Sequence, residues 1–350
     1  MRPGLSANLD LLRAIAVLLV LVQHLCKRMY VDRIGWIATS SLGHFGVLLF
    51  FVHTSLVLMY SMERSGLTGR ALLKNFYIRR IFRIYPLSIL TVLVALLLHL
   101  DSDVKGVAGL SYGQLPGKTS IIFHFLLAQN VIGAKSIVNV LWSLPFEMQM
   151  YLFLPFLFCW THRKRSAWPL VVLWGACLIP AAAQPHVHAL WRLSILCFVP
   201  NFLPGVIAFA LPRVALIRSY LWPVFIIGLA AVFTLNPVLP MGWILCLILG
   251  LCIPYFEEIT TPWLLIISER IATYSYGIYL SHQFAIWIAL GLFASHPVWM
   301  RLPLLIGLFI GFPILLYHVI ERPMIRAGVQ LATNWHADRR LMSAGAPATA

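Results

Sequence analysis

Charged residues are scarce in this sequence. Asp, Glu, Lys and Arg together make up 11% of its 350 residues, whereas a soluble domain carries about 25%. Apolar residues make up 61%, and we find no polar stretch long enough to form a soluble domain, no internal repeat and no low-complexity tract. The composition therefore indicates a polytopic membrane protein whose core packs in lipid.

Acidic residues are especially few, with 11 Asp and Glu against 26 Lys and Arg. A surplus of positive charge can indicate a nucleic-acid partner. Here the basic residues lie in short loops between apolar spans, which is the pattern of topology determinants in membrane proteins. We therefore expect contact with membrane lipid and none with nucleic acid.

The six cysteines form no CxxC pair and lie mostly inside apolar spans. This pattern argues against both a disulfide framework and a zinc site. We predict no metal and no permanently bound cofactor. Polar residues interrupt the first apolar span, and no small-residue cleavage site follows it, so we expect a retained span rather than a cleaved signal peptide.

Apolar windows predict an all-α, polytopic helix bundle with about ten transmembrane helices. They lie near 9–28, 42–62, 80–100, 141–161, 168–183, 195–211, 220–236, 239–256, 271–290 and 302–320. The stretch 119–133 is apolar but short, and we expect an interfacial or re-entrant segment there. Residues 1–327 are assigned to one transmembrane domain, and 328–350 to a polar, then Ala-rich tail that is predicted to be disordered.

The distribution of Lys and Arg predicts the orientation. With the N-terminus in the cytoplasm, the inner segments hold 18 of these residues and the outer segments hold 8. This bias fits the positive-inside rule. An even number of spans then returns the C-terminus to the cytoplasm.

The first span carries two polar residues on one face. Arg13 and His24 are separated by ten residues without a charge. Eleven positions are almost three whole turns at 3.6 residues per turn, so both side chains point the same way and lie about 16 Å apart along the axis. This stripe is costly unless it faces protein, water or substrate.

Glu147, in LWSLPFEMQMYLFLP, lies near the outer end of the fourth predicted span. His24 is predicted at a similar depth, in the outer third of the membrane. A neighbouring imidazole can hold a carboxylate ionised, and the carboxylate can orient the imidazole as a general base for a hydroxyl. The alternative is that both residues are helix-packing groups. Trp142 and Tyr151 flank Glu147 and are candidate substrate-binding residues.

The segment YIRRIFRIYP contains the basic cluster Arg79, Arg80 and Arg83, at the predicted inner mouth of the third span. Guanidinium groups suit phosphate oxygens, so the cluster is a candidate phosphate clamp. The alternative is ordinary positive-inside anchoring against lipid head groups.

Three further residues carry weaker signals. His53 and His282 lie in the middle of predicted spans and are candidate substrate-binding residues, although packing against a neighbouring helix is the alternative. Glu321, in the sequence Glu-Arg-Pro, is expected to form a local ion pair that ends the last span.

Taken in order along the chain, these motifs resemble the membrane-bound acyltransferase family 3, whose members O-acylate bacterial cell-surface sugars and other acceptors. The resemblance begins with LDLLRAIAVLLVLVQH and continues with GVLLFFVHTS, YIRRIFRIYPL, LWSLPFEMQMYLFLP, YSYGIYLSHQ and ERP. The family's arginine, histidine and glutamate fall on Arg13, His24 and Glu147. The second motif departs from the family pattern, because Leu48 replaces an acid and His53 stands at an aliphatic position.

The resemblance implies an acyl-CoA donor, most often acetyl-CoA, and a carbohydrate or lipid-linked glycan acceptor at a bacterial inner membrane. It further implies a stand-alone transmembrane form, without the hydrolase-like domain of some relatives. We expect a tunnel from the cytosolic arginines to His24, with His24 as base and Glu147 as its partner. One alternative is a transporter or flippase with a His and Glu proton relay, and another is a structural partner of a glycan-synthesis complex. The oligomeric state stays open.

Overall fold

A computed structural model describes residues 6–101, 110–164 and 166–344, with the backbone alone at 164 and over 334–344. These residues are predominantly helical, which confirms the predicted helical class. The α-helices are α1 (Ala7–Arg28), α2 (Thr39–Ser65), α3 (Gly69–Leu97), α4 (Lys118–Phe125), α5 (Leu144–Lys164), α6 (Trp168–Ala183), α7 (Val199–Ala210), α8 (Leu221–Leu235), α9 (Leu239–Cys252), α10 (Pro262–Trp287), α11 (Val298–Leu316) and α12 (Arg322–Ala344).

Several of these helices are suited to a membrane. Five stretches are long and apolar enough to cross one, namely Ala7–Arg28, Thr39–Ser65, Gly69–Leu97, Asn139–Arg163 and Val298–Thr333, and the shorter helices α6 to α9 are also apolar. A helix lies at each of the ten predicted positions. The number of crossings and the cytoplasmic location of both termini stay predictions.

Helix α12 runs through most of the predicted tail. Its backbone is helical from Arg322 to Ala344, and it packs along α3, where Gly328 lies against the side chain of Phe82. Residues 328–344 of the tail that was predicted to be disordered are thus helical, and residues 345–350 lie outside the described residues.

The N-terminus of α1 is fixed by hydrogen bonds to residues in the second half of the chain. Ser6 caps the helix and donates to the Glu258 carboxylate at 2.6 Å. The Asn8 side-chain oxygen accepts from the Ile259 backbone amide at 3.1 Å, and the Asn8 backbone carbonyl accepts from the Trp222 indole at 2.9 Å. These bonds set the rotation of α1 and therefore the direction of its polar stripe.

Helix α2 is the central helix of the bundle. It is apolar on all sides, as expected for a helix surrounded by others, and it packs against α1 and α7. The Ser55 hydroxyl donates to the Phe202 carbonyl at 2.7 Å. Gly205 of α7 lies directly against the Val52 carbonyl and the Ser55 hydroxyl, so only a residue without Cβ fits there.

Helix α3 begins at Gly69, eleven residues before the predicted span. Arg79, Arg80 and Arg83 therefore lie inside a continuous helix and not at its first turn. Their predicted place at the inner mouth of a membrane span stays a prediction. The polar first turns of α3 continue the helix ahead of its apolar segment, which hydropathy alone does not detect.

The described residues between α3 and α5, at 98–101 and 110–143, pack on the bundle. Strands β3 (Leu100–Asp101) and β4 (Ser111–Tyr112) form a hairpin that precedes α4, just as β1 (Arg33–Ile34) and β2 (Ile37–Ala38) form a hairpin before α2. Two 3₁₀-helices follow, at Gln129–Ile132 and Asn139–Trp142. The 3₁₀-helix at Asn139 directly precedes α5 and forms one wall of the site.

Candidate active site

Two cavities adjoin each other inside the bundle, and Val47 and Tyr279 line both. We call the first the arginine cavity. It has a volume of about 110 Å³, and its polar lining is Arg13, His53, Thr54, Arg80, Arg83, Ser143, Glu147, Tyr151, Ser275, Tyr276 and Tyr279. We call the second the histidine cavity. It has a volume of about 170 Å³, and its polar lining is Gln23, His24, Ser40, His44, Asn139, Trp142 and Tyr279.

An interhelical ion pair holds one arginine of the first cavity. The Arg83 guanidinium lies 3.2 Å from the Glu321 carboxylate, which is fully buried. The same guanidinium lies over the Tyr276 ring, 5.9 Å from its centroid. The predicted local ion pair at Glu321 is therefore wrong, because the carboxylate points across the bundle to α3.

Glu147 belongs to the same charged cluster. Its carboxylate accepts a hydrogen bond from the Tyr151 hydroxyl, one turn later on α5. It also lies within electrostatic range of Arg13 and Arg80. Low-dielectric surroundings strengthen such interactions, so Glu147 helps to hold cationic groups at this depth.

Arg13 faces this cluster with an unused donor. Its Nε is buried and has no hydrogen-bond partner. A buried donor without a partner costs about 1–3 kcal/mol. A ligand that supplies an acceptor atom in the arginine cavity would recover that cost.

Arg80 connects the arginine cavity to a small recess. The recess has a volume of about 10 Å³, and Arg79, Arg80, Asn75 and Ser61 are among its lining residues. Arg79 does not line the arginine cavity. The structure therefore brings Arg13, Arg80 and Arg83 together, and it places Arg79 on the adjoining side of Arg80.

His24 has a defined tautomer in the histidine cavity. Its Nδ1 lies 2.9 Å from the Val20 carbonyl, one turn earlier on α1, so Nδ1 carries the hydrogen and Nε2 is the free acceptor. The side-chain amide of Asn139 approaches Nε2 at 3.4 Å. The His282 ring lies edge-on, with its centroid 4.9 Å from that of His24.

The predicted pairing of His24 with Glu147 is not observed. The two residues line different cavities and form neither a hydrogen bond nor an ion pair with each other within the part of the chain that the structure describes. The reason is the course of the chain at α5. The 3₁₀-helix at Asn139 occupies the level of His24, and Glu147 follows two turns later, where the arginines attract it.

Tyr279 lies between the two cavities and lines both of them. Its hydroxyl donates to the Val140 carbonyl and meets the Ser143 hydroxyl, both at 2.8 Å. On α10, Tyr276 lies about one turn before Tyr279 and His282 about one turn after it. Helix α10 therefore presents a Tyr-Tyr-His face that runs from the arginines to His24.

Of the remaining predicted residues, Tyr151, His53 and Trp142 each line one of the two cavities, whereas His282 lines neither and contacts the His24 ring. His53 is buried beside Arg13 in the arginine cavity, and Trp142 lines the histidine cavity. Sequence reasoning missed His44 and Asn139 as lining residues. Asn139 lies only three positions before Trp142, so the motif around Glu147 was the signal that pointed to it. No group of three potential metal ligands occurs among the described residues.

Comparisons with known proteins identify the family of the chain. A family model described as an acyltransferase domain matches residues 6–318. Over 197 residues the chain is 28% identical to each of three Staphylococcus aureus proteins named "Putative O-acetyltransferase", from strains COL, MSSA476 and MRSA252. The match covers 52% of this chain and 30% of the length of each relative. No solved structure matches. Because the family model covers most of the chain, the protein belongs to the acyltransferase 3 family.

Proposed function

We propose that this protein transfers an acyl group, and specifically acetyl, from cytosolic acyl-CoA to a hydroxyl of a cell-surface or lipid-linked carbohydrate. The observation that carries the proposal is the pair of adjoining cavities. One holds three arginines and the other holds an imidazole whose Nε2 is free to accept a proton. The names of the Staphylococcus aureus relatives support acetyl as the transferred group.

The arginine cavity suits the donor. At about 110 Å³ it is too small for a nucleotide, but it has room for part of a pantetheine arm, whose thioester end reaches the adjoining histidine cavity. The phosphates of CoA then bind outside it, at Arg79 and Arg80, where guanidinium groups match phosphate oxygens. CoA is cytosolic, so this end of the bundle faces the cytoplasm and both termini lie there.

The histidine cavity suits a sugar acceptor. Its polar side chains can bind hydroxyl groups, and the Trp142 indole supplies an apolar face for a sugar ring. His24 lies near the end of α1 opposite to Arg13. This separation supports an acceptor that arrives from the outer face of a bacterial inner membrane.

His24 is the proposed general base. Its Nδ1–H is fixed by the Val20 carbonyl, so Nε2 takes the proton of the acceptor hydroxyl as that oxygen attacks the thioester carbon. Glu147 acts in the arginine cavity, where its negative charge balances the positive charges of Arg13 and Arg80. His53 and His282 stay candidate substrate-binding residues.

Inside-out membrane vesicles test this proposal. Radiolabelled acetyl-CoA is supplied to the cytosolic face, and base-labile label in the glycan and glycolipid fractions is counted. Vesicles with the wild-type protein should transfer label, and vesicles with equal amounts of the His24→Ala variant should not. Transfer that requires an ion gradient, or label that is absent with the wild-type protein, would contradict the proposal. Direct transfer predicts that donor alone leaves no label on the protein.

A further inference from the structure

The side-chain amide of Asn139 is placed to act on the reacting carbonyl. Since the Val20 carbonyl fixes the hydrogen of His24 on Nδ1, the Nε2 atom is an acceptor, and the Asn139 amide approaches it with its NH₂ group at 3.4 Å. This distance is long for a hydrogen bond, as is common in sites without substrate. An acceptor hydroxyl that binds Nε2 must displace this amide group.

The displaced amide then lies where acyl transfer needs a donor. In the attack, the hydroxyl oxygen is held at Nε2 and the thioester carbon lies about 3 Å from that oxygen. The carbonyl oxygen gains negative charge at a point a few ångströms from Nε2. A hydrogen-bond donor at that point stabilises the transition state.

Two other polar groups near His24 are already committed to hydrogen bonds. The Tyr279 hydroxyl donates to the Val140 carbonyl at 2.8 Å. The Nδ1 atom of His282 is bound to the Ile278 carbonyl at 3.0 Å, so its Nε2 carries no hydrogen in the neutral ring. Arg13 lies about 16 Å away along α1 at about 1.5 Å per residue. Of the two side chains that the structure places against the His24 ring, His282 and Asn139, the Asn139 amide is therefore the one with a hydrogen that can turn toward the oxyanion.

The backbone around Asn139 is rigid. Val138, Val140 and Leu141 are fully buried or nearly so. The Leu141 carbonyl accepts from the Gln129 amide at 3.0 Å, and the Val140 carbonyl accepts from Tyr279. A donor on such a support needs little reorganisation during the reaction, which is the condition for strong oxyanion stabilisation.

We infer that Asn139 is a catalytic residue whose side-chain amide binds the oxyanion formed during acyl transfer. The inference rests on the proposed function. The acceptor oxygen forms a bond to the thioester carbon while His24 takes the hydroxyl proton, and the carbonyl oxygen becomes an oxyanion held by Asn139. When the intermediate collapses, the C–S bond breaks and the imidazolium of His24 returns the proton to the departing thiolate, which leaves as the thiol of CoA.

Two variants separate this role from simple support of His24. Asn139→Ala removes the donor, and Asn139→Asp replaces it with an acceptor of the same shape. An oxyanion donor predicts that both lower kcat by about 10²–10³-fold with little change in the KM for acetyl-CoA, with Asp at least as damaging as Ala because a carboxylate repels an oxyanion. A support role predicts the reverse order, since a carboxylate beside an imidazole orients it and raises its basicity.

The assay uses the vesicles described above, with acetyl-CoA titrated and the amount of each variant matched by immunoblot. Asn130→Ala is the matched control, because Asn130 lies in the same segment and contacts Gln149 and Ser194 away from His24. The control should keep wild-type kcat. An Asp variant more active than the Ala variant, a kcat within a few-fold of wild type, or a pH profile displaced in the Ala variant would overturn the inference while leaving the proposed function intact. Absence of transfer by the wild-type protein would overturn both.

Discussion

Replacing Glu147 by Gln is the most informative change to the charged cluster. The amide has the same shape and can still accept a hydrogen bond from Tyr151. The substitution removes the negative charge that faces Arg13 and Arg80. The structure predicts a loss of stability and a small effect on the chemical step, because Glu147 lies in the arginine cavity and makes no contact with His24.

The magnitudes distinguish the two roles that a carboxylate could have here. Loss of one partner from a buried ion pair costs about 3–5 kcal/mol, and we expect less than about 3 kcal/mol because Glu147 interacts electrostatically with Arg13 and Arg80 and forms no ion pair among the described residues. A carboxylate that orients a catalytic histidine behaves differently, since its amide variant loses about 10⁴-fold in kcat. We expect kcat to fall by less than about tenfold in Glu147→Gln.

Two measurements on one protein preparation distinguish these two roles of Glu147. Thermal unfolding in detergent, followed by size-exclusion chromatography, ranks stability, and acetyl transfer in vesicles gives kcat and the KM for acetyl-CoA. Glu63→Gln is the control, because Glu63 is exposed at the end of α2, and it should change neither. The reasoning is refuted if Glu147→Gln keeps wild-type stability and loses about 10⁴-fold in kcat.

Three further predictions concern packing, pH and the path between the cavities. Gly205→Ala should destabilise the protein by about 1–3 kcal/mol, because its Cβ would collide with the backbone of α2; Gly228→Ala, where Cβ meets nothing within 4 Å, should be neutral or slightly stabilising in the same unfolding assay. Burial lowers the pKa of His124, which lies outside the candidate spans and accepts from the Ile137 amide at 3.1 Å. The folded state therefore disfavours protonation, so stability should be full above pH ~6.5 and fall as the pH drops below it; a His124→Asn variant should lack this part of the pH dependence, and an unchanged slope would contradict the assignment. Val47→Phe should narrow the passage between the cavities, so acetyl transfer should fall while acetyl-CoA binding, measured by filtration, stays within about threefold of wild type.

The helices and their polar faces could be predicted from local pattern. The spacing of Arg13 and His24 predicted one face of α1 for both residues, and both line cavities inside the bundle. Of the three α3 arginines, Arg80 and Arg83 line the arginine cavity and Arg79 does not. Both features depend on helical geometry within one segment, which sequence spacing determines directly.

The partners of these residues could not be predicted in the same way. His24 meets Asn139 across 115 positions of the chain, and Glu321 meets Arg83 across an interhelical boundary. Such contacts depend on the depth and rotation of each helix. A 3₁₀-helix before α5 displaces Glu147 by about two turns relative to His24, and no hydrophobic period in the sequence signals it.

The most direct test of the account measures donor binding and acetyl transfer separately in one variant of each cavity. Purified wild-type, His24→Ala and Arg80→Ala proteins are compared for acetyl-CoA affinity and for acetyl transfer in reconstituted vesicles. The account predicts that His24→Ala binds acetyl-CoA like the wild-type protein and transfers no acetyl, and that Arg80→Ala binds it at least tenfold more weakly but still transfers acetyl at saturating donor. Normal transfer by His24→Ala, or unchanged donor affinity in Arg80→Ala, would contradict it.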